Sequence, residues 1–442
     1  MFSGVALRRL IIPLILEQLL AMTVGLAAVV MIARVGEAAV SGVSLIDTLN
    51  ILIISILSAL CTGGAVVCSQ YIGRREADHA RMSARQLVYI SFIFSVVVGA
   101  VLLCAPRFFI RLIFGAVAAP VAESARTYLI YSTISFPFLA LFSACAALFR
   151  AMGNSRVSLY VSLVMNAVNI SLNALLIYSL QLGVLGAGIA TAVSRAIAAL
   201  LMMLLIREKG HVIYLRKLLP VRFNKQMVQS ILSIGVPNGL ENGMFNFGKL
   251  LVQTLVAWLG TSAIAANAII GSIFNIMIVP GMGMSLAMLT VVGQCIGAGD
   301  YAQAKHYAKK LLWITYVSMW AVNLPILVFS REALSFFSLS AEAYAIAARV
   351  LPVLAISCCI IWPVSFAFPN MLRAAGDARY TMIISASSMW IVRFGLSYLL
   401  IKQFHFGLEA VWYCMVIDWF VRAAFFFFRY RSGKWQTKTV LR

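Results

Sequence analysis

Charge is scarce in this chain, and negative charge scarcest. The 442 residues hold 14 Asp and Glu against 35 Lys and Arg, and charged residues make up 11% of the total. That is about half the share found in soluble domains, which excludes an ordinary solvated globule. Histidine is limited to His79, His211, His306 and His405, and the eight cysteines show no CxxC or mixed Cys/His spacing. The usual zinc and redox frameworks are thereby excluded, and neither a metal nor a cofactor is expected. Paired acidic motifs and His clusters are also missing, so the chain does not read as an enzyme. One nucleotide-binding string occurs, GMFNFGK at 243–249, but Leu250 follows where Ser or Thr is needed. The string also lies inside an apolar run with no strand before it, so it is not a phosphate loop.

What is present is hydrophobicity, at 62% of residues and a mean hydropathy of +0.97. About 20 apolar residues cross the roughly 30 Å of a bilayer core. Twelve runs qualify, near 10–33, 45–73, 86–106, 127–150, 157–180, 184–206, 229–258, 267–296, 308–329, 347–372, 380–401 and 408–428. The first is too long for a signal peptide and is read as a span. The second, seventh and eighth are long enough to tilt or bend.

The runs repeat. At an offset of 224, Pro13 faces Pro237, Leu16 faces Leu240, Glu17 faces Glu241, Gly36 faces Gly260 and Gln70 faces Gln294. Later, LFRAMGNSR at 148–156 faces MLRAAGDAR at 371–379. Six spans per copy give both halves one orientation, as parallel repeats about the membrane normal. The expected division is an N-terminal lobe at 1–210, a basic linker at 211–228, a C-terminal lobe at 229–430 and a tail at 431–442. About 24 Lys and Arg fall on one side of the membrane and about 7 on the other. The rich side is cytoplasmic, which puts both termini inside a bacterial plasma membrane. Because this charge alternates between loops, it argues against nucleic acid as a partner. The lipid bilayer is the expected partner, and no obligate protein partner is evident.

Several motifs then fall into one pattern: SQYIG at 69–73, GQCIG at 293–297, FPFLALFSACAALFRAMGNS at 136–155, NAVNISLNALLIYSLQLGVLGAGIAT at 166–191 and WPVSFAFPNMLRAAGDAR at 362–379. In this order, and with the repeat, the chain is similar to the multidrug and toxic compound extrusion (MATE) family across about residues 8–430. The resemblance implies an all-α integral membrane fold. It has twelve transmembrane helices in two parallel-repeat six-helix bundles around a central cavity. It also implies an antiporter that exports small amphiphilic, often cationic, substrates by alternating access, coupled to protons or sodium ions. The alternative is a flippase of a lipid-linked precursor. The chain departs from the family where acids are usual: Ala28, Asn173, Asn246 and Trp362 stand in their places.

The residues left to couple an ion are intramembrane charges, which are costly in a bilayer and mark function when present. Glu241 and Glu17, each four residues after a Pro, lead this set, followed by Asp418, Asp47 and Lys249. Asp418 and Arg422 are also spaced to pair with each other on one helix. Arg150 and Arg373 read as structural residues at the cytoplasmic boundary. Substrate-cavity candidates lie on polar stripes. Asn242, Asn246, Lys249 and Gln253 share one face of the seventh span, and Asn166, Asn169 and Asn173 share one face of the fifth. Met282 and Met284 offer an adaptable apolar surface near a Pro280 bend.

Overall fold

A computed structural model describes residues 2–441 except Ala116, Lys217, Leu219, Ser338 and Thr439; the side chains of Val24, Leu26, Ala28 and Val29 also lie outside the description, so Ala28 is placed only by its backbone. Among the described residues there are helices and connections and no strand. The long helices are α1 (Gly4–Ala33), α2 (Glu37–Gly73), α3 (Ala77–Cys104), α4 (Ala119–Ile134 and Phe136–Ala151, bent by 46°), α5 (Ser155–Ser179) and α6 (Gly183–Leu205). The second copy continues as α7 (Lys225–Trp258), α8 (Thr261–Gly297), α9 (Tyr301–Val328), α10 (Ala341–Ile360), α11 (Ala378–Phe404) and α12 (Leu408–Arg431). Among the described residues, nine of these, and the bent α4 taken as one span, are long and apolar enough to cross a membrane. By length alone the 30 residues of α1 and the 34 of α7 also reach across, at 1.5 Å per residue. The fold is therefore the twelve-helix membrane architecture expected from the sequence.

The chain resolves into two compact units that meet at Gly239 and Leu240, inside α7. In the N-terminal unit α1 packs on α5, α5 on α6, α6 on α4, and α4 on α2 and α3. Pro13 cannot donate to the Arg9 carbonyl one turn below it. Ser155 of α5 docks at this turn: its Oγ donates to the Leu10 carbonyl at 2.6 Å and lies 3.3 Å from the freed carbonyl of Arg9. In the C-terminal unit α8 packs on α9 and α10, and α12 on α10 and α11. Its core joins Val252, Leu255, Ile270, Met277, Leu354 and Trp419.

Two features shape the lobes locally. Gly153 and Gly376 end the repeated turns after Arg150 and Arg373 with φ of 79° and 88°, a conformation only glycine adopts cheaply. Gly281 lets the Trp362 ring lie against α8, since a Cβ there would come within 2.0 Å of that ring. Three segments wind as π-helix: Ala174–Ser179 at the end of α5, Pro363–Ala367 after α10, and Met389–Leu396 inside α11. Such turns cluster at functional sites in proteins generally.

Candidate functional site

The structure joins Glu17 and Glu241 to the two arginines of the repeated turns. In the N-terminal unit Arg150 Nη1 lies 3.4 Å from Glu17 Oε1, and Ser158 Oγ donates to Glu17 Oε2 at 2.8 Å. In the C-terminal unit Arg373 Nη2 lies 2.7 Å from Glu241 Oε1, and Arg422 Nη2 lies 3.7 Å from it. Asn370 Oδ1 accepts from Arg373 at 2.8 Å and steers its guanidinium. The same ion pair thus occurs once in each copy. By sequence alone these partners stand apart, the glutamates as coupling candidates and the arginines as boundary residues. A signal for joining them was available: the intervals from glutamate to arginine are 133 and 132 residues.

Among the described residues Asp418 and Arg422 form no ion pair with each other, contrary to what their spacing predicts. Arg422 reaches past it to Glu241 and donates to Ser385 Oγ at 2.9 Å, while Asp418 Oδ1 accepts from Ser388 Oγ. Ser385 and Ser388 both lie on α11, so Asp418 and Arg422 on α12 are drawn to a neighbouring helix. Nor does Lys249 meet Glu241 among the described residues; its ammonium sits 5.0 Å from the centre of the Phe245 ring.

Asp47 has a different setting. It is half-buried on α2, accepts from Asn50 Nδ2 at 3.3 Å and is hydrogen-bonded by the Tyr128 hydroxyl. Arg195 is within electrostatic reach but donates to Ser135 Oγ at 2.7 Å. No ion pair to Asp47 occurs among the described residues.

The polar stripes split by role. On α5, Asn173 donates to Asn169 at 3.0 Å and Asn169 to Ser194 of α6 at 3.3 Å, a chain that joins two helices of one unit. Asn166 is half-buried on the same face. On α7, Asn242 and Asn246 are half-buried, Lys249 is exposed, and Gln253 is exposed and accepts from Asn267 at 3.0 Å. Met282 is exposed, whereas Met284 is fully buried and belongs to the packing of α8. Trp362 is also buried, stacked on Phe366 with ring centres 5.1 Å apart.

Known proteins agree with this architecture. The family model MatE matches twice, over residues 13–175 and 237–399, the spacing of the internal repeat. The uncharacterized transporter YisQ of Bacillus subtilis strain 168 is 26% identical over 96% of this chain and 94% of its own length. A probable multidrug resistance protein NorM of Thermotoga maritima is 24% identical over 98% of this chain and 93% of its own. Among solved structures, an outward-facing multidrug resistance MATE family transporter of the MOP superfamily shares the fold with a TM-score of 0.90 at 20% identity, covering 98% of this chain and 96% of that one. With both copies of its repeat matched by one family model, the chain is a multi-pass membrane protein that belongs to the MatE family of multidrug and toxic compound extrusion proteins.

Proposed function

We propose that the chain exports small amphiphilic molecules by alternating access, in exchange for protons or sodium ions. The carrying observation is that the family model matches each half at the spacing of the repeat. The printed names of relatives support the same reading, among them multidrug resistance protein NorM and multidrug export protein MepA of Staphylococcus haemolyticus. Positive-inside asymmetry of the loops supports a cytoplasmic placement of both termini.

The geometry favours Asp47 among the candidate coupling acids. Glu17 and Glu241 each already have an arginine partner, and protonating either would strand a cation inside the protein. Asp47 is bounded by neutral donors, so its protonation or its binding of a sodium ion breaks no ion pair. It stands on α2, which packs on α4 within its own unit, so a change at Asp47 is felt directly by a neighbouring helix.

Expression in an efflux-deficient bacterial host tests this reading. Cells are loaded with a panel of cationic, neutral and anionic amphiphilic dyes. At least one dye should accumulate less than in vector controls, and collapsing the ion gradients should restore it. Accumulation equal to the vector control for every dye would contradict export.

A further inference from the structure

The export reading leaves open the charge of the substrate, and the C-terminal unit supplies a preference. Its intramembrane cations are Lys249, Arg373, Arg393 and Arg422, against the acids Glu241 and Asp418. Glu241 is taken by Arg373 at 2.7 Å, with Arg422 at 3.7 Å, and Asp418 accepts from Ser388. Lys249 and Arg393 are left over. The Lys249 Nζ lies 5.0 Å from the centre of the Phe245 ring, and the Arg393 guanidinium carbon lies 5.4 Å from the same centre. Asp418 is within electrostatic reach of Arg393, but no ion pair or side-chain hydrogen bond of Arg393 or Lys249 occurs among the described residues. The N-terminal unit shows no such pair of cations: Arg150 has Glu17, Arg195 donates to Ser135 Oγ, and Gly25 stands at the repeat position of Lys249.

Two like charges over one ring, in a membrane interior, call for an anion. The neighbourhood is built for one that carries an aromatic body. Arg393 and Trp390 share the π-helical segment of α11, and the buried Arg393 Nε and Trp390 Nε1 both lack an acceptor among the described residues. A bound ligand or water would satisfy both donors. The Trp390 ring packs against Phe247 at 5.7 Å, and Phe247 is more than half exposed. Phe245 and Lys249 stand four apart on α7 and share one face, whereas Phe247, two residues from each, joins the cluster through its contact with Trp390.

We infer that Lys249 and Arg393 bind the anionic group of an amphipathic aromatic molecule, a carboxylate, sulfonate or phosphate ester, with Phe245, Phe247 and Trp390 receiving its ring. This deepens the export reading and rests on it for the fate of the bound molecule, though binding itself is independent of transport.

The test is equilibrium binding to the detergent-solubilised full chain of three probes of one shape: naphthalenesulfonate, neutral naphthalenesulfonamide and naphthylmethylammonium. Charge-assisted contacts make about tenfold or more preference for the sulfonate the expected result. Lys249→Gln and Arg393→Gln should each remove most of that preference. Arg393→Lys, which keeps the charge, should retain more of it and guards against loss of fold. Preference for the ammonium probe in the wild type would overturn the inference. So would sulfonate affinity unchanged in both Gln variants. Tight, substitution-sensitive sulfonate binding without transport of that probe would uphold the site and count against the export reading.

Discussion

At the scale of single residues, the repeated glutamate–arginine pair ties each lobe's first helix to the turn after its fourth. Both copies are largely enclosed, with side-chain exposures of 12% and 17% for Glu17 and Arg150 and 7% and 11% for Glu241 and Arg373. Removing one member of a buried pair leaves an uncompensated charge, which costs about 3–5 kcal/mol. Glu241→Gln should therefore lower the thermal stability of the solubilised protein by an amount in that range. Glu17→Gln should cost less, because its pair is longer and Ser158 still holds the side chain. Adding Arg373→Gln to Glu241→Gln should recover part of the loss, and only part, since Arg422 stays without its anion. Melting curves of the four proteins decide the matter; an unchanged melting point for Glu241→Gln would remove the structural role assigned to the pair. These partners were half legible in the sequence. The Pro–Glu motif and the RAxG motif each repeat visibly, but their contact spans more than a hundred residues and no local periodicity encodes it.

At the scale of elements, α7 is the unusual helix. Its polar residues recur every three or four positions, so they share one face and lower its hydropathy relative to its neighbours. The stripe was legible because helical periodicity alone predicts it. Which residues on it are enclosed was not, because that depends on the helices packed beside it. Leu255 points into the core and Lys249 away from it. In a variant without native cysteine, Cys at Asn246 or Lys249 should react with a polar maleimide, and Cys at Leu255 should react at least about tenfold more slowly, as expected for a site closed to water. Labelling at Asn246 and Lys249 as slow as at Leu255 would mean that the stripe does not face water. The parallel stripe on α5 behaves otherwise. Asn169 and Asn173 spend their amides on each other and on Ser194, the helix-to-helix role that polar residues commonly take in membranes. Sequence spacing gives both stripes the same appearance; only the neighbour on α6 distinguishes them.

At the scale of the whole molecule, composition and the repeat revealed the twelve-helix class, because a span needs little more than length and apolarity. Asp418 and Arg422 show where that legibility ends. Their i,i+4 spacing predicts a pair, yet Ser388, Ser385 and Glu241 from other helices outcompete it. Ala28 and Asn173 mark another limit: the sequence offers Asp47 as one coupling candidate among several, and only its neighbours in the fold set it apart from Glu17 and Glu241. Coupled export is the central claim. The most direct test is uptake of the dye identified in cells into proteoliposomes of the purified chain, with a proton or a sodium gradient imposed separately. One of the two gradients should drive accumulation above the no-gradient level, and Asp47→Asn should abolish that increment while substrate binding persists. Accumulation that ignores both gradients would contradict ion coupling, and gradient-driven accumulation that survives Asp47→Asn would contradict the residue assigned to it.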